Sequence, residues 1–173
     1  VDKILIQVYR DRMLPLATVL TPNCFELSLL ADVPQIRSEA EVFEACRQLH
    51  DQAGIPTIIV TGTSFDDRPG VVSMLVSTND GEAFAIDTER IDMLFTGSGG
   101  LCCALILAWS IRCPDTLRMA CKHAMSTVSA VLRRTADAGP NAGACGMPEL
   151  KLVQSIQDIL NPPTHLVTLR NVT

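Results

Sequence analysis

The run Thr57-Ile-Ile-Val-Thr61 constrains the fold of this chain more than any other segment, because a continuous β-branched stretch without polar alternation suits a strand buried on both faces. Such a strand needs cover on either side, and helices supply it. Upstream, Ser38-Glu-Ala-Glu41 reads as a capping box in which the Ser hydroxyl and the Glu carboxylate each satisfy an orphan amide. Val42, Phe43, Cys46 and Leu49 then follow on one helical face, and Gly54 closes the helix.

The same alternation runs along the chain. Ile4 to Leu14 carries helical spacing, Ala17 to Thr21 reads as a short strand, Pro22 breaks the chain, and Asn23 to Leu30 resumes as helix. After a loop at Gly62 and Asp66-Asp67-Arg68-Pro69-Gly70, Val71–Ser77 and Ala83–Asp87 form a hairpin-like pair around Asn79-Asp80-Gly81. A strand from Ile91 to Phe95 leads through glycines into an apolar helix, Leu101 to Ile111. A second helix spans Pro114 to about Ala136, with Leu117, Ala120, Ala124, Val128 and Val131 on one face. Ala138 to Gly146 is a small-residue linker, Pro148–Leu160 a short helix and Leu166–Leu169 a last strand. There is no internal repeat. Strands alternating with helices predict an α/β layered sandwich with a mostly parallel sheet.

Composition narrows the function. At 173 residues, 47% hydrophobic and 19% charged, residues 1–173 fit a single domain with its own core. A net charge of -5, with five Phe, one Tyr and one Trp, offers neither a basic stripe nor a stacking platform, so nucleic acid is not an expected partner. The longest apolar run, Leu101 to Trp109, falls short of the ~20 residues that cross a bilayer. Val1-Asp-Lys lacks the features of a signal peptide. Seven cysteines, an odd number without a C-x-x-C pair, fit neither zinc nor a disulfide framework, and point to a reducing cytoplasm. His50, His123 and His165 have no ligand spacing and are expected to be structural.

One motif carries chemistry. In Phe95-Thr-Gly-Ser-Gly-Gly-Leu101 a glycine-rich turn opens a helix, and the unpaired N–H groups of such a helix start favour an anion. Four segments then occur in a telling order: Leu5-Ile-Gln-Val-Tyr-Arg-Asp-Arg with Leu14-Pro-Leu-Ala; Thr21-Pro-Asn-Cys-Phe-Glu26; Phe95 to Gly100 with Ala108-Trp109; and Glu149-Leu-Lys-Leu-Val-Gln-Ser155. With them the chain resembles the C-terminal half of eukaryotic pyridoxal kinases, within the ribokinase-like small-molecule kinases. The resemblance implies a ribokinase-like fold whose N-terminal part is missing, with an exposed sheet edge and exposed apolar helix faces.

It also implies roles. Asn23 and Glu26 match the family's nucleotide and Mg²⁺ contacts, the carboxylate acting on the metal through water. Thr61, beside Gly62, matches a phosphate-contacting Thr, and Thr21 and Thr61 match positions that hold a monovalent cation, K⁺ or Na⁺. Ile91, Asp92 and Met93 fall where the family touches ATP, and Gly97, Ser98 and Gly99 let backbone amides approach the transferring phosphate. Each position has a plainer reading: Asn23 and Ser38 as helix caps, Glu26 as a first-turn acid, Thr61 as a strand end, and Gly97 to Gly100 as a tight corner.

Position 100 departs from the family. Where these kinases carry the Asp that takes the proton from the substrate hydroxyl, this chain has Gly100. The implied activity is Mg-ATP-dependent phosphorylation of the 5′ hydroxyl of pyridoxal, pyridoxine and pyridoxamine, expected weak or absent here because Gly100 stands at the catalytic Asp position and the substrate-binding N-terminal half is missing. Two other readings stay open: a non-catalytic variant that binds nucleotide or pairs with a full-length kinase, these kinases being generally dimers, and a vestigial fragment without function.

Overall fold

The structure is a computed structural model and describes residues 3–114, 116–139 and 148–172. Most of the predicted 138–146 linker lies outside the described residues. Five strands form one sheet in the order β1-β2-β3-β4-β5, with β1 at Val19–Leu20, β2 at Thr57–Thr63, β3 at Val71–Thr78, β4 at Ala83–Glu89 and β5 at Val167–Asn171. β1 pairs parallel to β2, and β2 antiparallel to β3. The second pairing follows from the short link 64–70, because a parallel crossover needs a dozen or more residues. The chain divides into two compact units, residues 1–69, 73–85 and 170–173, and residues 70–72 and 86–169.

In the first unit, α1 (Lys3–Val8) continues through a π-helical turn (Tyr9–Met13) into a 3₁₀ turn ending at Leu16, two residues beyond the predicted helix. Arg10 ties this segment to α2 (Cys24–Ala31): its Nε donates to the Leu29 carbonyl at 3.0 Å, and its guanidinium lies 2.9 Å from Asp32. Asp32 ends α2 in the left-handed region (φ 57°). α3 (Glu39–Ala53) starts at Ser38, whose Oγ accepts from Glu41 N at 3.2 Å, and closes on Gly54 at φ 67°. Only half of the predicted capping box forms there, because the Glu41 carboxylate accepts from Arg37 N instead of Ser38 N.

Leu27, Val42, Leu49, Ile55, Ile58 and Val60 form the core of this unit and are essentially inaccessible to solvent. Ile59, pointing to the opposite face of β2, is equally buried, as a strand covered on both sides requires. His50 is structural: its Nδ1 lies 2.6 Å from the Ile55 carbonyl and its Nε2 2.9 Å from Ser77 Oγ, tying the end of α3 to β3.

The second unit is built on α4 (Ser98–Arg112) and α5 (Leu117–Asp137), which pack along each other. Ala120, Cys121, Ala124 and Val131 of α5 are fully buried. His123 meets Trp109 edge to face, ring centroids 4.5 Å apart, while Arg112 covers the indole at 4.9 Å. The Glu149–Ser155 segment is anchored to α5: Lys151 N donates to Thr135 Oγ1 at 3.1 Å, and Arg134 Nε to Ser155 Oγ at 3.1 Å.

Three predicted elements are corrected. Ile91–Phe95 forms no strand; it is a bent segment in which Leu94 is 79% exposed, so no ladder partner or core holds it extended. α4 starts at Ser98 rather than Leu101, since glycines adopt helical dihedrals as readily as turn ones. The helix predicted for Pro148–Leu160 is confined to a 3₁₀ turn (Val153–Ser155) and α6 (Ile156–Leu160). The preceding residues, 149–151, are non-helical.

Candidate functional site

In the first unit the candidate residues gather where β1 ends. The parallel register sets Leu20 beside Ile58, and just past the end of β1 Thr61 N donates to the Pro22 carbonyl at 2.8 Å. The half-buried Thr21 and Thr61 are thereby held on adjoining segments. Gly62 follows with φ 64°, inside an irregularity of the β2–β3 register between Val60 and Thr63. Beyond it the buried Thr63 Oγ1 donates to the Ser73 carbonyl at 2.9 Å and locks the bulge. That lock escaped the sequence reading, although a glycine inside a strand pattern is its usual signal.

Asn23 and Glu26 form a complete capping box at the start of α2. Asn23 Oδ1 accepts from Glu26 N at 2.9 Å, and Glu26 Oε2 accepts from Asn23 N at 2.9 Å. The plainer reading of both residues is therefore realised. Both side chains are nevertheless exposed, so the Asn23 amide group and the second Glu26 carboxylate oxygen keep capacity for a ligand. Glu26 and Thr21, with Tyr9, are the polar members of an otherwise apolar groove of about 590 Å³ between the N-terminal helical segment and α2.

In the second unit the glycine turn is the start of a helix. Gly97 caps α4 at φ 84°, a conformation that favours glycine, and no side chain caps the helix. The Gly97 carbonyl accepts from Leu101 N at 3.0 Å. The amides of Ser98, Gly99 and Gly100 precede the first intrahelical donor, and no acid stands in this turn. A Cβ at Gly99 or Gly100 would meet nothing within 4 Å, whereas one at Gly97 would touch the Leu150 side chain at 3.8 Å. The Glu149–Ser155 segment thus backs the turn. Ile91 and Met93 are half-buried, and Asp92 is exposed and pairs with Arg90 at 3.3 Å.

Among the described residues no group of three or more His, Cys, Asp or Glu is placed to hold a metal ion. The chain offers hard oxygens singly: one Glu26 carboxylate and the Thr21 and Thr61 hydroxyls. No described helix is long and apolar enough to cross a membrane.

An α/β sheet layered with helices, a strand end beside a Thr-Pro-Asn turn and a glycine-opened helix define a ribokinase-like small-molecule kinase fold. Comparison with known proteins makes this specific: the phosphomethylpyrimidine kinase family profile matches residues 1–146, and the chain belongs to that family. Its relatives include the pyridoxal kinases of Arabidopsis thaliana (38% identical, 94% of this chain, 53% of the relative) and Homo sapiens (32% identical, 91% and 55%). The chain spans about half the length of these curated relatives, matching their C-terminal half. Pyridoxal kinase from Entamoeba histolytica superposes with a TM-score of 0.82 at 26% identity over 99% of this chain and 56% of that one. A Leishmania donovani pyridoxal kinase structure with ADP and pyridoxamine gives 0.86 at 23% identity and shares the fold.

Proposed function

We propose that this chain is the nucleotide-handling portion of a cytoplasmic pyridoxal kinase-type enzyme, which transfers the terminal phosphoryl group of Mg-ATP to the 5′ hydroxyl of pyridoxal, pyridoxine or pyridoxamine. The observation that carries the reading is the start of α4: small residues, free amides and no acid at the end of a fifteen-residue helix. The ADP and pyridoxamine named in the Leishmania complex are ligands of this chemistry.

The likeness to the pyridoxal kinases assigns the roles, and the donor atoms are compatible with them. Ser98, Gly99 and Gly100 amides receive the transferring phosphate, and Gly97 keeps the approach open. Asn23, Thr61, Gly62, Ile91, Asp92 and Met93 bind nucleotide. A single Glu26 carboxylate suits Mg²⁺ that keeps most of its water and takes phosphate oxygens as further ligands. The Thr21 and Thr61 oxygens suit a monovalent cation. When bound, the metal supplies charge neutralisation on the phosphates; the protein supplies position and oriented amides.

Deprotonation of the substrate hydroxyl is what the chain lacks. With Gly100 in place of a carboxylate and no other acid in that helical turn, general-base help worth ~10²–10⁴-fold is absent. At ~1.4 kcal/mol per decade this raises the barrier by about 3–5 kcal/mol, leaving weak or no turnover. The same vacancy of acid favours a second reading, a nucleotide-binding chain without catalysis, alone or paired with a kinase subunit.

The test compares pyridoxal 5′-phosphate formation by this chain and by Gly100→Asp, with Mg-ADP binding followed by calorimetry. Binding by both, with turnover rising at least 100-fold in the variant, is the expected result. Binding without turnover in either favours the non-catalytic reading. Absence of ADP binding from both refutes the nucleotide assignment.

A further inference from the structure

Residues 149–160 run along α5 without burying the apolar surface that usually anchors such a segment. Leu152, Val153, Ile156 and Leu160 are all exposed, and the one buried residue of the stretch is polar, Ser155. Hydrophobic burial therefore does not explain where it lies; polar pins on α5 do. Thr135, itself fully buried, donates from Oγ1 to the Val131 carbonyl at 2.7 Å and accepts Lys151 N at 3.1 Å. Next to it, Arg134 donates to Ser155 Oγ at 3.1 Å and to Asp158 Oδ2 at 2.7 Å. About two turns earlier on the same helix, Thr127 Oγ1 donates to the Asp158 carbonyl at 3.2 Å.

What this grip delivers is Leu150. Its backbone is fixed by the Lys151–Thr135 bond and by Leu152 N, which donates to the Leu150 carbonyl at 2.8 Å. Its Cδ1 lies 3.8 Å from where a Cβ of Gly97 would stand, whereas Gly99 and Gly100 would meet nothing within 4 Å. No side chain caps α4, and the approach through residues 91–95 is a bent segment with Leu94 exposed. A glycine turn without walls samples many conformations, because no Cβ restricts φ and ψ. Conformations other than the left-handed one at Gly97 (φ 84°) would aim the Ser98, Gly99 and Gly100 amides elsewhere.

The geometry points to Leu150 as a positioning residue for the anion site at the start of α4: held by Thr135, Arg134 and Asp158, it walls Gly97 and keeps the following amides aimed at the phosphate. It acts through Gly97 rather than on the ligand. The inference rests on the nucleotide reading of that turn and adds where its order comes from, since a turn set in advance binds without the cost of ordering it.

The experiment titrates the whole chain with Mg-ADP by calorimetry and records the amide NMR signals of Gly97 to Gly100 with and without nucleotide. Leu150→Ala removes the wall, and Thr135→Val removes the acceptor of Lys151 N while keeping the side chain's shape. Both are expected to weaken Mg-ADP about tenfold or more, and to displace or broaden these amide signals in the nucleotide-free protein. Leu150→Met, which refills the space, and Thr135→Ser, which keeps the hydroxyl, should bind within about threefold of the unaltered chain. Val153→Ala, at an exposed position of the same segment, should change neither reading. A cooperative melt checks each variant, and if Thr135→Val does not fold, Leu150→Ala at its half-buried position carries the test. Undisturbed Gly97 to Gly100 signals in folded Leu150→Ala, unchanged affinity, or an equal loss in the Met and Ser variants would each overturn the inference. If the unaltered chain ignores Mg-ADP, the nucleotide assignment falls, and the nucleotide-free signals alone decide whether Leu150 sets the turn.

Discussion

Replacing Gly100 should make the protein more stable whatever it does to catalysis. Position 100 is the third residue of α4, with helical dihedrals, and a Cβ there enters open space. Gly→Ala at such a site recovers about 0.8–1 kcal/mol of helix propensity. Asp recovers less by propensity, about 0.3 kcal/mol, but its carboxylate adds roughly 0.3–1 kcal/mol against the positive end of the helix. Both variants are therefore expected to gain about 1 kcal/mol, by different physics. Urea unfolding at low and high salt separates them: the Ala gain should persist in 1 M NaCl, and the dipole part of the Asp gain should shrink as the Debye length falls to ~3 Å. The midpoint should move with an unchanged denaturant slope. Destabilisation by Ala would refute the reasoning, since it would mean that residue 100 makes a close contact or leaves the helical region.

Two further outcomes are expected. Asn23→Ala removes the capping box of α2 and should cost about 1 kcal/mol in urea unfolding; if Mg-ADP binding also weakens while Ser38→Ala leaves it unchanged, Asn23 serves the ligand as well as the helix. His123 is held below its usual pKa of 6.5, first by burial and then by Lys122. Its ring therefore stays neutral in the folded state at pH values where the unfolded chain is already protonated, so stability is full above pH 6.5 and falls as pH drops below it. Thermal melts from pH 7.5 to 5.5 should show this decline, and His123→Phe should flatten it.

The parts of the fold legible in the sequence are those where local chemistry and tertiary demand coincide. The β-branched run at 57–61 could only be a covered strand, and Gly54 and Asn23 stand where helices end and begin. Ile91–Phe95 has the apolar content of a strand without the cover of one, and with Leu94 facing solvent the segment is not extended. The Glu41 carboxylate shows a finer limit: spacing placed it correctly for Ser38 N, but the neighbouring Arg37 amide competes for it. At the candidate site, the glycine turn and the Thr-Pro-Asn turn were readable as motifs. The bond from Thr61 N to the Pro22 carbonyl and the Thr63–Ser73 lock depend on strand register, which no local pattern encodes.

The ion pair between Glu39 and Arg170 bears on how this polypeptide is made. Arg170 Nη1 donates to Glu39 Oε1 at 2.9 Å, and the last four residues belong to the first compact unit although the second unit is encoded between them. Residues 1–85 are synthesised before Arg170 exists, so this unit keeps the Glu39 carboxylate without that partner until the second unit's residues have been made. Closing a span of 131 residues carries a loop entropy that grows only slowly with length, so the delay is one of timing more than of free energy. Loss of β5 would thus remove an ion pair from a unit whose other residues lie far upstream.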